Sequence, residues 1–173
     1  MTTTTTATEI EGKVFYLDQP NVDTDQIIPA VYLDCVSIKG LGVHLFEGVP
    51  DFDRNDPTFV GATILVAGEN FGYGSSREHA VWALEDHGFK AVIAPSFARI
   101  FRQNAFNRGL LLIELPPESV SDLFKLRSSP CVIDIEKQRI ITLSSIVFPF
   151  KLGEFEKTLV LQGGLVGFAA SRY

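Results

Sequence analysis

Three short apolar runs, Ala62–Ala67 ("ATILVA"), Ala91–Ala94 ("AVIA") and Leu110–Leu115 ("LLLIEL"), are separated by two stretches of helical character, and that alternation leaves few folds open. Runs of this length, rich in β-branched residues, are what strands buried on both faces need. The first intervening stretch reads as a helix from Ser76 to His87 closed by Gly88, a residue suited to the left-handed position past a helix end. Pro95-Ser96 opens the second, with Phe97, Ile100, Phe101 and Ala105 on one face and Gly109 at its end. Strand–helix–strand–helix–strand with short connections implies an α/β fold whose core is a parallel sheet.

The flanks are less regular. "KVFYL" (Lys13–Leu17) reads as a strand, and "NVDTDQIIPAVYL" as a polar turn entering an apolar stretch. Residues 35–60 are rich in Gly, Pro and Asp and read as irregular, with a short helix near Val43–Phe46. Beyond Pro116-Pro117, "ESVSDLFKL" predicts a short helix, and "CVIDIEKQRIITL" a hairpin turning at Glu136–Gln138. "KTLVLQGGLVGFAA" reads as a strand followed by a glycine-broken terminal element. The polar start "MTTTTTATEIEG" has neither an apolar signal core nor transit-peptide arginines. It reads as a disordered tail over residues 1–10, leaving 11–173 as one domain.

Composition narrows the function classes. No apolar run reaches the roughly 20 residues of a membrane span, and a net charge of -6 with no basic stripe argues against nucleic acid. Two cysteines, Cys35 and Cys131, supply neither a disulfide framework nor a metal cage, and a cytoplasmic setting with reduced thiols is expected. His44, His79 and His87 do not stand at metal-ligand spacing, so no metal site is expected in this chain.

The chemistry concentrates in "GENFGYGSSREHA" (Gly68–Ala80). Ser75 and Glu78 have capping-box spacing, so the stretch can be read as a helix start and no more. Yet the loop leaves the C-terminal end of a buried parallel strand, where open α/β sheets bind ligands. A helix start attracts anions. Arg77 stands where the helix dipole disfavours a cation, and a guanidinium fork suits a carboxylate. One of Ser75 and Ser76 is also in excess of what a cap requires. The run is neither a phosphate-binding G-x-x-x-x-G-K-[ST] loop nor a G-x-S-x-G elbow. A carboxylate or phosphate site at a helix start is the reading the local pattern supports.

Together with "NVDTDQIIP" upstream and "KAVIAPSFARIF" downstream, this stretch closely resembles the small-subunit family of 3-isopropylmalate dehydratases, within the broader aconitase family of swivel domains. The resemblance covers about Val14 to Leu115. It implies a swivelling β/β/α domain that closes over a [4Fe–4S] cluster held by a separate large subunit, with no cluster bound by this chain. It implies a hydro-lyase active only with that partner, which interconverts 2-isopropylmalate and 3-isopropylmalate by dehydration and rehydration in leucine biosynthesis. Iron acts there as Lewis acid on a small hydroxy-acid substrate.

Carried over residue by residue, the resemblance makes Ser75 the base that removes the proton from carbon, with Ser76 and Arg77 binding substrate carboxylate. Ser76 then becomes the cap in place of Ser75, and Asn70, Gly72, Gly74, Glu78 and His79 support the loop. Asp25, otherwise readable as part of an Asx-type turn with Asp23 and Thr24, takes a supporting catalytic role. Leu33, Asp34 and Cys35 fall where the family's substrate-selecting pocket is lined. No arginine follows Leu33, so a third carboxylate would lack a partner, and apolar side groups are favoured. Asp34 departs from that pattern and leaves citramalate, dimethylmalate or a homoaconitate-type substrate as alternatives. Tyr73 is expected to pack beneath the loop rather than narrow the site, and Arg99 and Arg102 to be solvated or structural rather than to face the partner or substrate. A non-catalytic carboxylate-binding module would not need the Ser75 hydroxyl, and a stand-alone serine hydrolase would need a His-Asp pair that the motif lacks.

Overall fold

The computed structural model describes residues 8–34, 37–75 and 77–172. Two four-stranded sheets organise them. The parallel sheet holds β2 (Val14–Leu17), β3 (Ile64–Ala67), β4 (Ala91–Ala94) and β5 (Leu111–Glu114), lying side by side in chain order. Every residue of β2, β3 and β4 is buried, as the continuous apolar runs require. Helix α2 (Glu78–His87) connects β3 to β4, and α3 (Arg99–Asn107) connects β4 to β5. Gly88 ends α2 at φ 114°, its amide bonded back to Leu84 and Glu85.

The antiparallel sheet has the order β1 (Glu9–Gly12), β6 (Cys131–Asp134), β7 (Arg139–Ile141), β8 (Val147–Pro149). The expected hairpin is β6–β7, with Val132 opposite Ile141. Strand β1 corrects the boundary of the expected tail: Glu9 and Ile10 already pair with Asp134 and Ile133. Tyr16 ties the parallel sheet to the chain entering β6, its hydroxyl donating to the Ser128 carbonyl over 2.6 Å.

Between β2 and β3 the chain forms α1 (Thr24–Ile27) and 3-10 turns at Ala30–Tyr32 and Leu41–His44. This irregular stretch is nonetheless packed: Phe46, Phe52 and Phe59 surround Phe15, with Phe15 and Phe59 centroids 5.1 Å apart. His87 stacks on Phe59 at 4.1 Å and donates from Nε2 to its carbonyl. Burial holds the His87 imidazole below its usual range despite that bond and the neighbouring Asp86.

Helix α4 (Pro117–Leu126) forms where predicted, but the C-terminal strand does not. Residues Glu154–Leu161 form helix α5, and Leu165–Arg172 form α6. The run Leu159-Val160-Leu161 mimics a strand, whereas Glu154 and Glu156 in the first turn and the Thr158 hydroxyl bonded to the Glu154 carbonyl suit a helix. Gly163 and Gly164, at φ 77° and 99°, stop α5 and turn the chain into α6.

Candidate functional site

Because β2, β3 and β4 are neighbours running in the same direction, the loops leaving their C-terminal ends lie side by side. These are the three segments singled out by sequence, and hydrogen bonds stitch them together. From the β2 loop, Asn21 donates its amide to the Glu69 carbonyl (2.8 Å), and Thr24 donates to Tyr73 (3.0 Å); Gly72 returns a bond to the Val22 carbonyl (2.8 Å). On the other side the amide of Asn70 donates to the Ser96 hydroxyl (2.8 Å), and that of Ala98 to the Phe71 carbonyl (3.0 Å). Asn70 and Asn21 both adopt positive φ, and the Asn70 amide side chain donates to Asn21 Oδ1. The glycine loop is therefore a middle strand-like segment clamped from both sides.

Glycine is required at one point of the clamp. Gly72 has φ 84°, and a Cβ placed there would lie 2.3 Å from Phe101 Cγ. Gly74, at φ 101°, passes over Asp23 and Thr24 with ordinary contact distances. Tyr73, between them, does not pack beneath the loop as expected: it is 46% exposed, and its backbone makes the bridge to Asp23.

The helix start also differs from expectation. Helix α2 begins at Glu78, with Arg77 in extended conformation at the cap position and no side-chain cap bond. The Ser75–Glu78 capping box is absent, because the cap position falls on Arg77, two residues after Ser75. The box forms elsewhere, at Asp23-x-x-Gln26: Asp23 Oδ1 accepts from the Gln26 amide (2.8 Å), and Gln26 Oε1 from the Asp23 amide (3.1 Å). That spacing was readable in the sequence. It makes Asp23 structural and sets Asp25, two residues on, free of capping duty.

Asp25 meets Arg77. The guanidinium donates through Nη1 to Asp25 Oδ1, joining the β2 loop to the start of α2. Asp25 is 61% exposed and the Arg77 side chain 22%, so the pair stands at a surface with the cation the more enclosed partner. Ser75 is exposed, and its hydroxyl has no hydrogen bond among the described residues. Ser75, Arg77, Thr24, Gly72 and Gly74 line one cleft of about 560 Å³ together with Ala98, Arg99, Ile100, Phe101 and Gln103 of the β4–α3 segment. Helix α3 starts at Arg99, four residues later than the Pro95-Ser96 start expected, so residues 96–98 are free to pair with the glycine loop.

Of the remaining candidates, Glu78 is exposed in the first turn of α2, and His79 packs its ring 4.6 Å from Trp82. Leu33 (half-buried) and Asp34 (exposed) sit on the turn after the Ala30–Tyr32 3-10 helix and do not line the cleft. Ser76 and Cys35 lie outside the described residues. Arg102 is structural, bonded to Glu114 (3.0 Å) and Glu156 (2.9 Å). Arg99, expected in a solvated or structural role, is instead in the cleft wall.

Comparison with known proteins places this geometry. Residues 4–118 match the aconitase C-terminal domain. The chain is 42% identical over 171 residues to the 3-isopropylmalate dehydratase small subunit of Leptospira interrogans serogroup Icterohaemorrhagiae serovar copenhageni (strain Fiocruz L1-130), spanning 90% of this chain and 83% of that one. It is 45% identical over 159 residues to the small subunit of the same name from Erythrobacter litoralis (strain HTCC2594), spanning 90% and 80%. A crystal structure of 3-isopropylmalate dehydratase from Methanocaldococcus jannaschii DSM2661 superposes with a TM-score of 0.78 at 37% identity, covering 95% of each chain.

Proposed function

This chain belongs to the family of 3-isopropylmalate dehydratase small subunits, built on the aconitase C-terminal domain, and from that premise we propose that it completes the active centre of a heteromeric hydro-lyase. Joined to a large subunit, it interconverts 2-isopropylmalate and 3-isopropylmalate by dehydration and rehydration, in the cytoplasm, as a step of leucine biosynthesis. The observation that carries the reading is the cleft itself: a serine hydroxyl with no hydrogen bond among the described residues and a guanidinium held by Asp25, lining one space before α2.

The family implies a [4Fe–4S] cluster. Two cysteines in the whole sequence cannot hold one, and the described one, Cys131, is buried in β6 with its thiol pushed up by burial. We therefore assign the cluster to the large subunit.

Within this chain, Arg77 binds a substrate carboxylate, and its ion pair with Asp25 keeps the fork turned into the cleft. Ser75 takes the proton from carbon when the double bond forms and returns it on rehydration. A serine oxygen is a poor base at its free pKa. Here the guanidinium and the free amides at the helix start favour the alkoxide once closure by the partner excludes water. Ser76 is assigned to the same substrate carboxylate as Arg77, and Leu33, Asp34 and Cys35 to the segment that meets the substrate's variable group, although Leu33 and Asp34 lie outside the cleft lining of this chain alone.

The test is Ser75→Ala in the complex reconstituted with its large subunit under anaerobic conditions. Loss of a positioned proton-transfer group predicts a fall in kcat of about 10²–10⁴-fold with KM nearly unchanged. Turnover within a few-fold of the parent would reject Ser75 as the base.

A further inference from the structure

Helix α3 carries two arginines in different states. Arg102 is held by two carboxylates, Glu114 and Glu156. Arg99, one turn earlier, has no ion pair or side-chain hydrogen bond among the described residues, is exposed, and lines the same cleft as Ser75. Gln103, four residues on and so on the same helix face, lines the cleft as well. Arg77 already has a carboxylate neighbour in Asp25. Among the described residues no acidic side chain lines the cleft, although the chain as a whole carries a net charge of -6. Two cations facing one space, one of them unpaired and in the dipole-disfavoured first turn of its helix, call for a ligand with more than one negative charge.

We infer that Arg99, assisted by Gln103, binds the second carboxylate of a dicarboxylate hydroxy-acid, the one Arg77 does not hold, and so selects dianionic substrates. The inference rests on the function proposed above and adds a substrate-binding residue to it. Two cationic side chains lining one cleft would also set the direction of the substrate relative to the Ser75 hydroxyl.

Steady-state kinetics with 2-isopropylmalate on the reconstituted complex test this. Arg99→Gln is expected to raise KM about 10- to 100-fold, the range for one charge-assisted contact, with kcat within a few-fold. Arg99→Lys should fall between, since it keeps the charge and loses the fork. Gln103→Ala should raise KM by less. A competitive inhibitor with two carboxylates should lose its advantage over its monoamide when Arg99 is replaced. An unmoved KM in Arg99→Gln overturns the inference, as does a shift confined to the large-subunit concentration needed for half-activity, which would place Arg99 at the subunit contact. A parent complex that turns over no isopropylmalate defeats the functional reading itself, and the inference with it. Parent turnover with an unmoved variant KM defeats the inference alone.

Discussion

Replacing Gly72 by alanine probes the clamp that positions Ser75, and its cost can be worked from two separate terms. At φ 84° an L-residue is strained, by about 1–2 kcal/mol. The new methyl would sit 2.3 Å from Phe101 Cγ and 2.7 Å from its Cβ, in a core where overpacking costs about 1–3 kcal/mol. Alanine's smaller unfolded-state entropy offsets about 0.4–1 kcal/mol. The net loss should be about 1–4.5 kcal/mol, which at this chain length lowers Tm by about 2–18 °C. Circular dichroism melts and urea midpoints read it directly. The two terms are separable: Phe101→Ala removes Cγ and Cδ1 from the clash but leaves the φ strain. Gly72→Ala/Phe101→Ala should therefore be less destabilised than the sum of the singles, by about 1–2 kcal/mol. A single variant within about 0.5 kcal/mol of the parent, or strictly additive costs, would refute the argument that Phe101 dictates glycine at this position.

Asp25→Asn should cost under about 1 kcal/mol of stability, because the pair with Arg77 is exposed on the carboxylate side, yet lower kcat/KM by about 10- to 100-fold; activity unchanged in the reconstituted enzyme would make it an ordinary surface ion pair. His87, held below its usual range by burial, stays neutral in the fold while the unfolded chain takes up a proton near pH 6.5. Stability should therefore be complete above that value and fall as pH drops through it toward the folded pKa, by at most about 1.4 kcal/mol per pH unit; His87→Gln should flatten that part of a Tm-against-pH curve, and an identical slope would discount the histidine. Gly164→Ala places a Cβ 2.5 Å from the Asn107 carbonyl oxygen at φ 99°, so the urea midpoint should fall by the equivalent of about 2–4 kcal/mol, and an unchanged midpoint would deny the close approach of the α5–α6 turn to the end of α3.

The parallel sheet was legible because β3, β4 and β5 are buried on both faces nearly throughout, so their sequences are unbroken apolar runs. The C-terminal helices were not, because Leu159-Val160-Leu161 carries no periodicity over so short a run; only the Gly109–Gly164 approach and the packing of α5 on α3 decide it. At the site, glycines and serines announced a ligand loop, but two geometric facts stayed hidden. Capping passes from Ser75 to Asp23, since both segments offer the same spacing and only backbone path distinguishes them. Arg99 and Arg102 are indistinguishable by residue type, and what separates them is Glu114 and Glu156, residues 12 and 54 positions away from Arg102.

The same strand order explains why so little chain can define half an active centre. A site built from one loop would need that loop to be rigid by itself, and a glycine-rich segment is not. Here rigidity is borrowed: the β2 loop supplies amide donors and Asp25, the β4–α3 segment supplies Ser96 and Phe101, and the glycine loop between them needs only to carry Ser75 and Arg77. Ser75, exposed and with no hydrogen bond to its hydroxyl, has no activating partner among the described residues. Reactivity then depends on what covers the cleft. On the proposed function, a small subunit whose base is positioned in advance but activated only on assembly does not run its chemistry on stray hydroxy-acids. Activity should therefore appear with the saturation curve of subunit association, and the isolated chain should show no proton exchange at the carbon of a bound dicarboxylate.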